Sequence, residues 1–266
     1  MSSDDLSYES ALARLAGERP RLASALHRAE KRRAQHAASL LTGARFKGLD
    51  ELLRHLDSVA EAFKTNPQLS QLTFLISRSV ADFETAAEAT LSGYMAVAAD
   101  AMRDVMEIEN LLLDFAISPG HIEEWLTCDD KTRMSRFMPV VVRKRLHAAG
   151  VPPFATTAES VDYKAHSQAL HVSPHQFPVA RKGFSAGQGM DADAGFWEIF
   201  EHARRLHLAL RRLTSRLQPD TAVHRLTEQE LIDFEDAWQR TQQMQEIYMA
   251  LIKATLEAQT ENGEAI

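Results

Sequence analysis

Apolar residues recur along most of the chain at intervals of three and four, the period that returns one face of an α-helix to the same side. From Gly48 to Phe63 the stripe is Leu49, Leu52, Leu53, Leu56, Val59, Ala60 and Phe63, and from Leu69 to Ala89 it is Leu72, Leu75, Ile76, Val80, Phe83 and Ala87. Asn66 before Pro67 separates the two, because a residue preceding proline is pushed out of the helical region. Upstream, a short amphipathic piece covers Ala11 to Ala16, and Pro20 opens a helix from Arg21 to Leu41 that Gly43 ends. The segment from about Ser92 to Phe115 is different. Met95, Val97, Met102, Val105, Met106, Ile108, Leu111, Leu112, Leu113 and Phe115 occupy nearly its whole circumference, the mark of a helix in the middle of a bundle.

Later segments read in the same way. Ser118 as a cap with Pro119 in the first turn predicts a short helix through Trp125. A basic helix over Thr132 to Ala149 carries Arg133, Arg136, Arg143, Lys144 and Arg145, and Gly150 with the Pro152, Pro153 pair stops it. Another helix is expected from Ala158 to about His171, ended by Pro174, then a loop over residues 175–195. Two long helices follow, Phe196 to Leu217 and Thr227 to Thr260, the second with Thr227 and Glu230 as a capping-box pair. The expected fold is therefore all-α, a helical bundle with a central apolar helix and an N-terminal helical extension. Its parts are an extension over residues 1–66, a bundle over 67–260 and a frayed tail over 261–266.

Composition narrows the chemistry. The chain has 266 residues, 45% hydrophobic and 25% charged, an ordinary globular profile with material for a sizeable core. Its formal charge of −7 gives no global field toward nucleic acid or anionic lipid, so any such contact has to be a local patch. The single cysteine, Cys128, rules out an internal disulfide and a thiolate zinc cluster. Met1 to Leu6 lack the cationic-then-apolar order of a secretory leader, and the central apolar segment is interrupted by Arg103, Asp104, Glu107 and Glu109, so a cytoplasmic location without membrane contact is expected. Charge is segregated along the chain. Arg21 to Lys47 holds seven basic residues and one acid, whereas Thr227 to Ile266 holds nine acids and two bases. Either run is a solvated face or the surface for a protein partner or second copy.

Two constellations carry candidate chemistry. On the central helix Arg103, Glu107, Asn110 and Asp114 are spaced four, three and four apart and share one face. Polar groups on so apolar a helix need partners, so the stripe is either an ion pair that fixes register or the floor of a site. On the later helix Tyr163, Lys164, His166, Ser167 and His171 bring hydroxyl, amine and imidazole to adjacent positions, a combination able to hold a phosphate or move a proton. The nucleophile elbow, the Walker phosphate loop, the dinucleotide fingerprint and the H-E-x-x-H motif are missing, so no cofactor and no metal is expected.

The run A-M-R-D-V-M-E-I-E-N-L-L-L from Ala101, the tryptophan at Trp125, R-F-M-P-V-V-V-R-K-R-L from Arg136 and Y-K-A-H-S-Q-A-L-H from Tyr163 resemble a group of uncharacterised bacterial helical proteins. That group is similar to the HEPN-like helical bundles, whose members include ribonucleases and nucleotide-binding proteins of toxin and antiviral systems. The resemblance spans roughly Leu69 to His175 and implies interest in Arg103, Glu107, Tyr163, Ser167 and His171. It implies a module in which Arg103, Tyr163, Ser167 and His171 contact a nucleotide or RNA phosphate, with Glu107 orienting Arg103. A ribonuclease would use His171 as general base, with Lys164 or Arg103 stabilising the phosphorane. The chain departs from the ribonuclease pattern, an arginine and a polar residue with a histidine four to six positions after the arginine. Here lysine stands at Lys164, with Ala165 after it and His171 beyond, while Arg21 and His27 meet the spacing outside the resembling region. The remaining alternative is a non-enzymatic interaction or structural protein, dimeric through its basic N-terminal or acidic C-terminal helix.

Overall fold

The computed structural model describes residues 7–40, 43–151, 189–243 and 246. Every regular element among them is helical: α1 (Tyr8–Glu18), α2 (Pro20–Leu40), α3 (Ala44–Lys64), a 3-10 turn (Ser70–Leu72), α4 (Thr73–Ser92), α5 (Met95–Ile117), α6 (Gly120–Thr127), α7 (Asp130–Arg136), α8 (Pro139–Ala148), α9 (Gly189–Leu217), α10 (Ala222–Thr227) and α11 (residues 232–243). The protein is an all-α helical bundle. No described helix is long and apolar enough to cross a membrane.

Helix α5 is the axis of the bundle, packed against α4 and α9 along its length and against α8 and α6 toward its end. Its apolar circumference explains that position: Met102, Val105, Met106, Leu112 and Phe115 are buried in several directions at once. Phe63, Phe83, Phe115, Phe196 and Phe200 are the largest fully buried side chains of the described core. Phe46, Phe196, Phe200 and Phe234 form a chain of ring contacts with centroids 5.9, 6.4 and 5.7 Å apart, which joins α3 and α11 to α9.

The N-terminal extension comprises α1 and α2 only. Helix α1 has no buried residue, whereas Leu49, Leu52, Leu56, Val59, Ala60 and Phe63 of α3 belong to the same core cluster as α4, α5 and α9. A boundary near residue 66 therefore does not coincide with an edge of the core. Gly48 of α3 lies so close to α11 that a β-carbon there would stand 2.5 Å from Ala237 Cβ and 2.7 Å from the Asp233 carbonyl oxygen.

Several helix ends follow the sequence and others do not. The Asn66 side chain accepts from the Gln68 and Leu69 amides at 3.0 and 3.3 Å, which makes the break before α4. Gly93 and Gly150, with φ of 80° and 66°, close α4 and α8 in the left-handed conformation that only glycine adopts cheaply. Ser92 is accordingly the last residue of α4, and α5 starts at Met95. Ser118 does not cap α6, which has no side-chain cap; its amide instead donates to the Asp114 carbonyl at 2.9 Å and ends α5. The basic helix expected over Thr132 to Ala149 is two helices, because Pro139 restarts the chain at the first turn of α8 after Phe137 and Met138. Of the loop expected over residues 175–195, positions 189–195 belong to α9, and 175–188 lie outside the described residues, as does the helix expected from Ala158 to His171. Thr227 does not open a helix either. It ends α10, with its hydroxyl 2.7 Å from that of Thr214. Helix α11 begins later, and its Phe234 amide donates to Glu51 of α3 at 2.9 Å, a cap supplied from 183 residues away.

Two carboxylates on α5 fix its neighbours. Glu109, 1% exposed, takes the Nε of Arg205 on α9 at 3.1 Å. Asp114, 2% exposed, takes Arg145 of α8 through two nitrogens, each at 2.8 Å, and meets His121 Nδ1 of α6 at 2.8 Å. The Phe137 ring closes over this group, its centroid 5.5 Å from the Arg145 guanidinium carbon and 5.8 Å from the His121 ring.

Two outcomes follow from this packing. Gly48→Ala is expected to lower unfolding stability by about 1–3 kcal/mol in urea titration, since overpacking against backbone outweighs the gain in helix propensity. Gly17→Ala on α1, where nothing lies within 4 Å, gives no loss. Asp114→Ala should cost about 1–3 kcal/mol, because the 29%-exposed Arg145 loses its carboxylate but keeps the Arg136 carbonyl, and adding Arg145→Met should recover part of the loss.

Candidate functional site

A cleft of about 700 Å³ opens at the C-terminal end of α5, between that helix and α9. Leu113, Ala116 and Ile117 of α5, Val151 after α8, and Leu208 of α9 make its apolar floor. Arg211, Arg212, Ser215 and Arg216 of α9 make its wall, with Glu228 after α10 at the rim. The arrangement follows from helical spacing. Leu206, Ala209, Leu210 and Leu213 are fully or nearly fully buried on the inner face of α9, so positions 208, 212, 215 and 216 turn toward the opening.

Arg211 gives two nitrogens to Glu228, Nε to Oε1 at 2.9 Å and a terminal nitrogen to Oε2 at 2.7 Å, the parallel-fork geometry of a strong pair. The Arg211 hydrogen bond holds the Glu228 carboxyl below its usual range. Arg212 and Arg216 are exposed on the wall. Counting Glu228 against three arginines, the cleft is locally positive on a protein that is negative as a whole.

The Arg211–Glu228 pair also borders a second groove of about 710 Å³, between α9 and the segment leading into α11. His207 lies in its wall, and behind it the His55 ring of α3 stands 5.1 Å away, centroid to centroid. Burial first, then the neighbouring His55 and Arg211, depresses His207 to about 4, and burial lowers His55. Both imidazoles are thus neutral near pH 7.

The residues singled out by the sequence fall elsewhere. Arg103 and Glu107 do form the expected pair, at 3.3 Å with side chains 26% and 33% exposed. Around them stand Arg78, hydrogen-bonded to Asp104, and Asp82, which burial and the charges of Asp104 and Asp100 raise to about 6. Burial, chiefly, also raises Glu107. With four carboxylates around two arginines, this surface does not concentrate anions. Arg103 lies ten residues before the Leu113 end of α5, roughly 15 Å along the axis from the arginine-walled cleft. Asn110 and Asp114, expected on the same face, are buried, and Asp114 serves the Arg145 and His121 contacts instead. Tyr163, Lys164, Ser167 and His171 lie outside the described residues.

The wall residues of α9 were not singled out by the sequence reading. Their signal is the run R-R-L-T-S-R from Arg211, where Arg212, Ser215 and Arg216 recur at helical spacing. Many surface helices carry such a run, and only the floor supplied by α5 makes it a cleft. No protein-family model, curated protein or solved structure matches the chain. What the fold and the geometry define is an all-α bundle with a cationic, apolar-floored cleft at one end of its central helix.

The histidine pair sets a pH dependence. A base whose folded pKa is lowered contributes fully above its unfolded value of 6.5, and the contribution is lost as the unfolded chain takes up the proton below it. Stability should therefore fall from pH 6.5 to about 4, by on the order of 3 kcal/mol from His207. His207→Leu removes that part of the slope when melting temperatures of the two proteins are compared across the same range.

Proposed function

We propose that the protein is a binding module for a phosphate-bearing ligand, a nucleotide or a short RNA, held in the α5–α9 cleft without being processed there. The observation that carries this reading is the set Arg212, Ser215 and Arg216 ranged along one wall above an apolar floor. Guanidinium groups and a hydroxyl supply donors for phosphate oxygens, and Leu113, Ile117 and Leu208 offer a surface on which a base or sugar is sheltered from water. A volume near 700 Å³ lies within the range of small-ligand sites. Arg211 lends its charge while remaining tied to Glu228, which keeps the wall in one arrangement. The HEPN-like resemblance motivates the same ligand class through other residues. In this reading Arg103 and Glu107 keep a structural ion pair.

The test is fluorescence anisotropy with a mant-labelled adenine nucleotide and a fluorescein-labelled short RNA. Arg212→Ala and Arg216→Ala should each weaken binding by about tenfold, the worth of a charge-assisted hydrogen bond. Added salt should weaken the wild type more than the double variant. Arg103→Ala should leave affinity within about twofold, since no phosphate contact is assigned to it. Absence of binding for both probes, or affinity lost equally with Arg103→Ala, overturns the proposal.

A further inference from the structure

Two imidazoles from remote parts of the chain meet where α3 packs on α9. His55, on the buried side of α3 and 6% exposed, stands against His207 of α9 with ring centroids 5.1 Å apart and ring planes tilted by 54°. Each ring carries one nitrogen shut off from solvent and without a hydrogen-bond partner among the described residues, Nε2 of His55 and Nδ1 of His207. Buried imidazole nitrogens ordinarily have one, so ring packing alone does not account for the pair.

The separation of the rings suits a shared metal ion. With metal–nitrogen bonds of about 2.0–2.1 Å, a ring centroid lies about 3.2 Å from the ion, and two imidazoles at the tetrahedral angle then stand about 5 Å apart. A linear pair would need about 6.4 Å. Both rings are neutral near pH 7, the form in which imidazole ligates.

The surroundings have the sign that a cation requires. His207 lies in the wall of the groove between α9 and α11, which gives an ion a way in from solvent. Glu228, Glu230, Glu235 and Asp236 line that groove against Arg204 and Arg211. Both arginines are committed, Arg211 to Glu228 and Arg204 to the face of Trp238, 4.5 Å from its centroid. Carboxylates at the opening draw in cations, and imidazoles select among them, because hard ions such as magnesium prefer oxygen ligands. We infer that His55 and His207 together hold one transition-metal dication of the zinc class. No third histidine, cysteine or carboxylate joins them among the described residues, so the remaining coordination positions go to water or to a ligand in the groove. The groove shares Leu208, Arg211 and Glu228 with the anion cleft, but no metal contact is assigned to Arg212, Ser215 or Arg216.

Isothermal titration of the chelator-stripped full chain with zinc chloride, beside melting curves with and without zinc, tests this. One equivalent of zinc should bind and raise the melting temperature, since only the folded chain brings the two rings together. His207→Gln and His55→Gln should each weaken zinc binding at least about tenfold. His207 is the less buried of the two, so its variant should keep the helical circular dichroism of the wild type without zinc. Cobalt(II) gives a second reading in the wild type itself, the strong visible absorption of a four-coordinate ion. Glu230→Gln with Glu235→Gln should weaken zinc binding by only about twofold, as carboxylates that attract the ion without ligating it. Arg212→Ala with Arg216→Ala should leave zinc binding unchanged, which separates this site from the anion cleft. Zinc bound equally by the wild type and His207→Gln, a wild type without the four-coordinate cobalt absorption, or a melting temperature raised as much by magnesium as by zinc overturns the inference.

Discussion

Two buried carboxylates on one helix set the geometry on which the rest of the bundle depends. Helix α5 is apolar on nearly every side, and a helix of that kind packs almost equally well at several rotations and shifts along its axis. Glu109 and Asp114 remove that freedom. Their five-residue separation points them in different directions, one to Arg205 on α9 and the other to Arg145 on α8 and His121 on α6. Buried this deeply, a carboxylate without its arginine is costly, so a shifted packing that parts either pair is disfavoured. The value of such pairs lies in the register they impose more than in net stability.

The register decides what α9 presents to solvent. With Arg205 held against Glu109, one further stretch of the same helix brings Arg211, Arg212 and Arg216 beside the Leu113 to Ile117 end of α5. His207, between them, faces His55 of α3 and stays neutral because burial and neighbouring charge both disfavour its proton. A single long helix thus lines a cationic cleft, contributes a half-buried imidazole and walls an acidic groove. The Arg211–Glu228 pair stands where the two openings meet. Charge is thus segregated on a protein that is acidic overall, with arginines along one opening and carboxylates along the other.

Much of the fold was legible because helix formation is a local matter. The three-four stripes of α3 and α4, the apolar girth of α5, the Asn66–Pro67 break and the Gly150 stop all report interactions within a few residues. The Arg103–Glu107 pair was legible for the same reason, being four apart on one helix. Misreadings arose where a local signal had a remote competitor. Thr227 and Glu230 have capping-box spacing, yet the Phe234 amide is satisfied by Glu51, and Thr227 is drawn to Thr214. Pro139 was read through because the basic residues on either side continue the same composition.

By itself, then, the sequence determined an all-α chain, its apolar central helix and which charged residues would need partners. Tertiary structure decided that α3 belongs to the core, that Asp114 serves a buried node in place of an open site, and that the arginines of α9 wall a cleft. The physical reason is the range of the interactions. Helical periodicity is written in neighbours three and four apart, whereas Glu109 meets Arg205 across 96 residues and Glu51 meets Phe234 across 183, and those pairings exist only once the helices have packed.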